Sequence, residues 1–203
     1  FEASQAYVCL QRKAMSPGVV VTELAMEVPE VRFPFDVSQG ASQFQRRLCE
    51  LARLELAIDG ATLSDQIPRA LDLAGVGIEH LELVLRSGFA EGAGRLAGGA
   101  PFTFKMGAEP LGDRELNVVI YDARVYGPSS VPAAGIPGLL ARAAAGWRKS
   151  GSIFHFDPLP TLLRRILPQR GWKIPGAERT RLARLELKAG EVRVAWDRAH
   201  AGP

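Results

Sequence analysis

The chain has few residues that bind metals or form disulfides. Its 203 residues include two cysteines, Cys9 and Cys49, and three histidines. Two cysteines are too few for a disulfide framework or a zinc site, and no histidine lies at metal-ligand spacing from another His, Cys or carboxylate. Whether the two thiols form one bridge is left open, because that depends on the compartment. The sequence therefore predicts no metal site and no cofactor.

Long apolar runs are also missing. No stretch approaches the roughly 18 apolar residues that a membrane-spanning helix requires. The longest candidate, over 131–147, is interrupted by Pro132, Pro137 and Arg142. Hydrophobic residues nevertheless make up 47% of the chain, which is typical of a folded core. The length predicts a single domain over 1–203.

No strong excess of charge of one sign is present. The net charge is +3, and acidic residues are interleaved with the arginines almost everywhere. The densest basic stretch is 178–184, which follows Arg170 and Lys173. It can meet an anionic membrane surface or nucleic acid, or form a solvated strand face. We predict no nucleic-acid partner, and a membrane-surface contact stays open.

Catalytic signatures are absent from the sequence as well. Residues 92–97 come nearest to a dinucleotide fingerprint, but that motif needs a following helix, and a strand pattern follows here. The glycines of this stretch are better interpreted as points where a strand bends. Residues 127–130 lack the nucleophile-elbow pattern. We therefore predict no catalytic residues and no enzymatic activity.

What the chain does contain is a repeated order of features. Segments 31–60 and 152–188 each carry an aromatic pair at alternate positions, an arginine pair and the hexapeptide LARLEL. In the first copy the aromatic pair is Phe33 and Phe35, the arginine pair is Arg46 and Arg47, and the hexapeptide is 51–56. In the second copy they are Phe154 and Phe156, Arg164 and Arg165, and 182–187. Such order suggests two related units flanking the region 76–126. The alternative is chance, because Leu, Ala, Arg and Glu are common in this chain.

Periodicity predicts a mixed α and β chain. Helical spacing indicates helices over 42–51 capped by Ser42, after Ser64 with Pro68 in the first turn, over 136–147, and from Asp157 to before Pro168. Alternation indicates a hairpin turning at Pro17–Gly18, an antiparallel meander over 76–126 with a bulge near Ile78, and a final hairpin turning at 188–190. The fold class expected is α+β rather than a doubly wound parallel sheet.

The apolar positions of the meander suggest a ligand cavity. Its long, flexible side chains fall on one face, and scattered glycines permit strong curvature, so a strongly curved antiparallel sheet can wrap around one or more amphipathic helices and leave a hollow. The predicted lining is Phe44, Leu48, Leu83, Leu85, Phe102, Phe104, Met106, Leu116, Val118, Ile120, Leu139 and Leu140. The alternative is an ordinary solid core, as in a structural or protein-interaction domain without a ligand.

A family resemblance supports the first of these alternatives. Over Val31–Trp147, the Phe-Pro-Phe segment, the amphipathic helix, the LARLEL strand and the glycine-interrupted strands resemble the tubular lipid-binding (TULIP) superfamily, closest to its bacterial members of the LmeA type. The resemblance implies a curved sheet around a long helix, with lipid acyl chains held between them.

The resemblance implies a non-catalytic lipid-binding or lipid-transfer protein, in the periplasm or at a membrane, with the cytoplasm left open. Its ligand is a lipid or another long apolar molecule. Binding would work by partition, since each buried methylene is worth about 0.8 kcal/mol. Four arginines are expected to attract anionic headgroups: Arg164, Arg165, Arg179 and Arg181.

Overall fold

The computed structural model describes residues 4–31, 37–144, 147–150 and 153–199. In this part of the chain two antiparallel sheets are combined with short helices, which confirms the α+β prediction. The strands are β1 Ser4–Ser16, β2 Val19–Val31, β3 Glu50–Asp59, β4 Ile78–Leu85, β5 Ala90–Leu96, β6 Pro101–Leu111, β7 Glu115–Val125, β8 Arg148–Ser150, β9 Ile153–Phe156, β10 Thr180–Lys188 and β11 Glu191–Arg198. The α-helices are α1 Gly60–Ala70, α2 Ile136–Ala143 and α3 Leu159–Ile166.

The contacts of the chain group into two compact units. The first unit comprises Phe1–Ala57, Asp157–Arg184 and Val194–Pro203, and the second comprises Ile58–Phe156 and Leu185–Arg193. Each unit is described by itself below. The prediction of a single domain over 1–203 stays a prediction, because grouping by contacts does not measure independent folding.

The five-stranded sheet, in the order β1-β2-β3-β11-β10, supplies the first unit with β1, β2, β3 up to Ala57, β10 up to Arg184 and β11 from Val194. β1 and β2 form the predicted hairpin, with Gly18 in the left-handed region at φ 71°. Leu54 and Leu56 are at alternate positions of β3, and both are buried. The final hairpin, β10 and β11, also lies where the sequence predicts it.

The helix predicted over 42–51 is wrong. Residues Val37–Phe44 form 3₁₀ turns with a non-helical Gly40 among them, and Leu51 already belongs to β3. The backbone N–H of Leu51 donates to the carbonyl of Gly176 at 2.7 Å, so pairing with a distant segment overrides the local helical spacing. The helix predicted from Asp157 is confirmed as α3, whose Leu159, Leu163 and Ile166 are buried.

The second unit contains a six-stranded sheet in the order β4-β5-β6-β7-β9-β8, and every neighbouring pair is antiparallel. The meander predicted over 76–126 is therefore confirmed. A register shift between Ile78 and His80 matches the predicted bulge. Residues 92–97 form strand β5 and its exit turn, and no helix follows them before β6.

Two helices of the second unit differ from the prediction at their ends. α1 begins at Gly60 rather than after Ser64, because the Asp59 carboxylate accepts the backbone N–H of Thr62 at 2.7 Å and caps the helix earlier. Pro68 consequently lies in the last turn instead of the first. α2 has its proline in the first turn as predicted but ends at Ala143, not at Trp147.

The two glycines of β5 have a steric role in the sheet. A Cβ atom on Gly92 would lie 2.1 Å from the ring of Phe104, and one on Gly94 would lie 2.5 Å from both the ring of Phe102 and the carbonyl oxygen of His80. The residue pairs Gly92–Phe104 and Gly94–Phe102 are directly opposite each other on β5 and β6. Each phenylalanine ring therefore covers the backbone of a glycine, which leaves no space for another side chain.

The repeated segments take partly different structures. Both LARLEL hexapeptides lie in the five-stranded sheet, on β3 and β10, with β11 between them. The second aromatic pair is on β9 of the six-stranded sheet, whereas Phe33 and Phe35 lie outside the described residues. An α-helix, α3, precedes the second hexapeptide, and only 3₁₀ turns precede the first.

Candidate functional site: an apolar pocket in the second unit

A small apolar pocket lies within the second unit, between its helices and one face of its sheet. Its volume is about 40 Å³. The lining side chains are all apolar: Ile67, Leu71, Leu81, Leu83, Phe104, Met106, Val118, Ile120, Leu140, Ala144, Trp147 and Phe154. The pocket contains no group that can form strong hydrogen bonds with a ligand except the indole N–H of Trp147.

Strand pairing brings the lining residues of the sheet together. Phe104 and Met106 alternate on β6, as Val118 and Ile120 do on β7, so each pair faces the same side. Met106 lies directly opposite Ile120, and Val118 lies directly opposite Phe154. The face that the sequence alternation predicts as apolar is thus one wall of the pocket.

Helix α1 forms part of the opposite wall and is only partly packed. Gly60 is its only fully buried residue, and Ile67 is half-buried, as is Leu71 just after the helix. The Ser64 hydroxyl donates to the carbonyl of Leu83, and the Asp72 N–H donates to the carbonyl of Ala143 at 3.0 Å. These two hydrogen bonds link the α1 region to β4 and to the end of α2.

Three aromatic rings lie at one side of the pocket. The indole of Trp147 stacks on Phe156 with ring centroids 4.3 Å apart and an interplanar angle of 11°. It meets Phe154 at 6.3 Å and 65°, which is an edge-to-face arrangement. Because Trp147 is half-buried, it extends from the pocket to the solvent.

The structure brings together half of the predicted lining. The residues in the pocket are Leu83, Phe104, Met106, Val118, Ile120 and Leu140. Phe102, Leu116 and Leu139 are buried in the same unit without lining the pocket, and Leu85 is half-buried at the end of β4.

Phe44 and Leu48 correct the prediction, because both belong to the first unit and neither lines this pocket. Leu48 is 75% exposed. The prediction places both residues on a helix over 42–51, which the chain does not form, so their side chains do not share a helical face.

Sequence reasoning missed six lining residues: Ile67, Leu71, Leu81, Ala144, Trp147 and Phe154. Ile67 and Leu71 were recognisable as one apolar face of a helix, since they are four residues apart. Phe154 alternates on β9, but no local pattern shows that β9 pairs with β7 across an intervening helix.

The four arginines predicted to attract headgroups all belong to the first unit. Arg164 and Arg165 are exposed on α3, Arg181 is exposed on β10, and Arg179 lies 4.0 Å from the carboxylate of Glu50. None of them lines the apolar pocket. Their role as headgroup ligands stays a prediction.

The first unit carries ion pairs that run across its sheet. The Arg53 guanidinium on β3 lies 2.6 Å from Glu23, 2.8 Å from Asp197 and 3.2 Å from Glu55. Burial by itself lowers the pKa of Arg53, but the Asp197 and Glu23 carboxylates outweigh it, so that the pKa is raised overall.

A second set of ion pairs in the first unit includes a buried carboxylate. Arg198 pairs with Glu27, which is only 4% exposed, and lies 3.3 Å from Glu50. The sequence signal for the first set is the alternation of Arg53 with Glu55, which does not reveal the partners on other strands.

On the second unit, the sheet face opposite the pocket is charged. Asp122 has a left-handed backbone, with φ 51°, at a register shift between β6 and β7. Its carboxylate accepts hydrogen bonds from Lys105 at 3.0 Å and from Arg124 at 3.1 Å. These two bonds, with Lys105 as the larger cause, lower the pKa of Asp122.

The two thiols differ in their environments. Cys9 is exposed, Cys49 is buried, and both are free. Burial raises the pKa of the Cys49 thiol, although the nearby Arg47 charge opposes this. The Cys49 thiol donates weakly to the carbonyl of Arg47 at 3.7 Å.

Within the described residues, no cluster of His, Cys, Asp and Glu has a geometry that would hold a metal ion. Across the same ranges, no helix combines the length and apolar character needed to cross a membrane. Comparisons of the chain with protein-family models, with curated proteins and with solved structures gave no match.

Proposed function

We propose that the protein is a non-catalytic lipid-binding protein that takes an acyl chain into the apolar pocket of its second unit. The observation that carries the proposal is the chemistry of the lining, in which twelve apolar side chains converge from two helices, the residues that follow them, and four strands. Such a site favours a ligand segment without polar groups, because among the lining side chains only the indole N–H of Trp147 could hydrogen-bond to a buried polar group. The TULIP-like order of the sequence points to the same ligand class.

Binding in this site requires that the pocket widens. Its present volume is about 40 Å³, whereas a cavity of roughly 150 Å³ is needed for a ligand as small as benzene. The movable wall is α1, because its apolar residues are half-buried and its last turn contains Pro68. An acyl chain entering under α1 would replace the contacts of Ile67 and Leu71 rather than expose them to water. We also propose that the six-stranded sheet is strongly curved, and that segments 31–60 and 152–188, which carry the LARLEL hexapeptides, are copies of one unit.

A second candidate is favoured by the same small volume. A structural or protein-interaction domain with a solid core needs no ligand cavity, and about 40 Å³ is close to what natural packing leaves. The two candidates differ in what a lipid does to stability. A carrier is stabilised by its ligand through mass action, and a solid domain is not.

The test is thermal unfolding with palmitate. At a ligand concentration one hundred times Kd, mass action adds roughly 2.7 kcal/mol, which corresponds to a rise in Tm of about 5 to 10 °C for a domain of this size. Replacement A144F puts a ring into the pocket and is expected to abolish this rise. Replacement V84F adds a ring on the opposite, exposed face of the same sheet and should leave the rise intact.

If the native protein shows no rise with palmitate, the carrier proposal fails and the solid-core candidate is favoured. Since A144F can also destabilise the core, its circular dichroism spectrum must match that of the native protein. Met106→Phe is the second variant for that case, because Met106 is only half-buried and lines the same pocket.

A further inference from the structure

A larger cavity lies in the first unit, and its lining differs from that of the apolar pocket. Its volume is about 330 Å³, within the range of small-molecule sites. Leu10, Met15 and the buried Trp172 provide apolar surface, while Lys13 and Arg170 provide two positive charges. No carboxylate lines the cavity.

Hydrogen bonds join the two segments that frame this cavity, one around Gln45 and the other around Arg170. The Lys173 N–H donates to the carbonyl of Gln45 at 3.0 Å, and the Gln45 side-chain amide donates to the carbonyl of Arg170 at 3.3 Å. The Trp172 N–H donates to the carbonyl of Leu167 at 3.2 Å. The wall that carries Arg170 and Trp172 is therefore fixed against the 3₁₀ segment that precedes β3.

The strand β1 is distorted where it contributes to the cavity. Leu10 and Lys13 are three residues apart, and in a regular strand such residues point to opposite faces. Arg12, between them, has a left-handed backbone with φ 45°. This conformation interrupts the alternation, so that Leu10, Lys13 and Met15 all line one cavity. Backbone strain of this kind in a non-glycine residue tends to be concentrated at functional sites.

The two cations are available to a ligand. One guanidinium nitrogen of Arg170 donates to the carbonyl of Ala14 at 3.0 Å, which orients the group and uses one of its five N–H donors. Lys13 forms no ion pair with any residue in the described part of the chain. Both side chains are exposed, so their charged ends stay in water while their stems border the cavity.

We propose that the first unit binds an anionic amphiphile in this cavity. The acid group is held by Lys13 and Arg170, and the apolar body lies against Leu10, Met15 and Trp172. The ligand class is an acid with a hydrocarbon body of about ten carbon atoms, because the cavity lies at the lower end of the ligand-site range. This site is separate from the acyl-chain pocket of the proposed function and does not depend on it.

The three tryptophans provide a direct test, because they lie in three different environments. Trp172 borders this cavity, Trp147 borders the apolar pocket of the second unit, and Trp196 is fully buried. Decanoate is added to ¹⁵N-labelled protein, and the three indole N–H signals are followed by NMR. We expect a saturable shift of the Trp172 signal, with the Trp196 signal as the internal reference. Decyl phosphate and decanoate together distinguish a phosphate headgroup from a carboxylate.

Charge variants test the recognition of the acid group. Lys13→Gln and Arg170→Gln should each weaken decanoate binding by about twofold to fivefold, because each removes one solvent-exposed ion pair with the acid group. Arg46→Gln removes the same charge from an exposed position of the first unit outside the cavity, and binding should change by less than about twofold. Decanol, which has the chain without the acid, should bind at least about tenfold more weakly than decanoate.

A pair of variants at Arg12 tests the role of the distorted strand. Arg12→Gly and Arg12→Val remove the same charge, but only glycine adopts a positive φ readily. Affinity for decanoate should be kept in Arg12→Gly and reduced in Arg12→Val.

Any one of the following results would overturn the proposal of a second site. They are the absence of any Trp172 shift with decanoate and with decyl phosphate, equal binding of decanol and decanoate, and unchanged affinity in both Lys13→Gln and Arg170→Gln. A shift of Trp147 alone would also overturn it, while supporting the acyl-chain pocket of the second unit. The opposite combination separates the two proposals. If decanoate shifts the Trp172 signal but palmitate does not raise the Tm of the native protein, the cavity of the first unit is supported and the acyl-chain pocket of the second unit is rejected.

Discussion

The two units use antiparallel sheets of similar size for different chemistry. In the first unit, arginines and carboxylates pair across strands, and a cavity of about 330 Å³ keeps two cations at its edge. In the second unit, the sheet face that borders the pocket is apolar, and the pocket has a volume of about 40 Å³. Of these two spaces, the larger is the one with charged side chains at its border.

The physical reason lies in how cavities are filled. An empty apolar space loses dispersion contacts on every side, so neighbouring side chains move in until little space is left. A space bordered by lysine and arginine stays hydrated, because the charged ends keep their interaction with water. We therefore expect the first cavity to be ready for a ligand and the second pocket to open only when a ligand enters.

The largest stability effect is expected from Gly94→Ala, which tests the close packing of the second unit. The new Cβ would lie 2.5 Å from the carbonyl oxygen of His80, and the backbone cannot yield easily. We expect a loss of about 3 kcal/mol in the free energy of unfolding, measured by urea denaturation. Gly107→Ala is the matched control on β6, since its nearest neighbour is 3.6 Å away, and it should change stability by less than about 1 kcal/mol. Equal effects of the two variants would contradict the tight contact of Phe102 with Gly94.

A smaller effect is expected from Glu27→Gln, which tests the ion pairs of the first unit. Glu27 is 4% exposed and pairs with Arg198. Its neutral replacement leaves a partly buried arginine whose one remaining carboxylate partner, among the residues that the structure describes, is Glu50. We expect a loss of about 2 kcal/mol in the free energy of unfolding. In the second unit, Glu82→Gln breaks an exposed pair with His80 and should cost less than about 0.5 kcal/mol. If Glu27→Gln and Glu82→Gln lower the free energy of unfolding by the same amount, the ion pairs of the two sheets do not differ in strength.

The smallest effect is expected from Asp122→Asn, and it should depend on pH. The pKa of Asp122 in the folded protein is lowered from 3.8, so the contribution of its carboxylate to stability is present above that value and is lost as pH falls through the folded-state pKa. Asn adopts a positive φ readily, so the backbone at φ 51° is retained. Tm should be reduced slightly at pH 7, and the difference from the native protein should shrink as pH falls through the folded-state pKa. A difference in Tm that is independent of pH throughout the acid range would show that the charge of Asp122 is not its cause.

The sequence predicted those elements whose partners are close along the chain. The meander from β4 to β7 and the hairpins alternate clearly, and α3 carries its buried leucines at helical spacing within eight residues. The region before β3 was predicted wrongly, because Gly40 interrupts the helix and Leu51 pairs with the distant Gly176. The competing signal at Asp59 was also missed, although an aspartate before a helix is a strong cap.

The candidate site was predictable only in part, because some of its residues are brought together by contacts between segments that are distant in sequence. The walls on β4, β6 and β7 follow from alternation, and Leu140 follows from a helical pattern. Phe154 and Trp147 enter the pocket because β9 pairs with β7, which no local pattern specifies. The cavity of the first unit was missed entirely. It depends on the left-handed backbone of Arg12 and on contact between the segments around Gln45 and Arg170, which are far apart in sequence.

The central claim is that the closed pocket of the second unit opens for an acyl chain. Intermolecular nuclear Overhauser effects between unlabelled palmitate and the ¹³C-labelled methyl groups of the protein test it most directly. The account predicts contacts from the chain to the methyl groups of Val118, Ile120 and Leu140, which line the pocket. At saturating palmitate, the absence of contacts to these methyl groups, or contacts only to Leu10 and Met15 of the first unit, would contradict it.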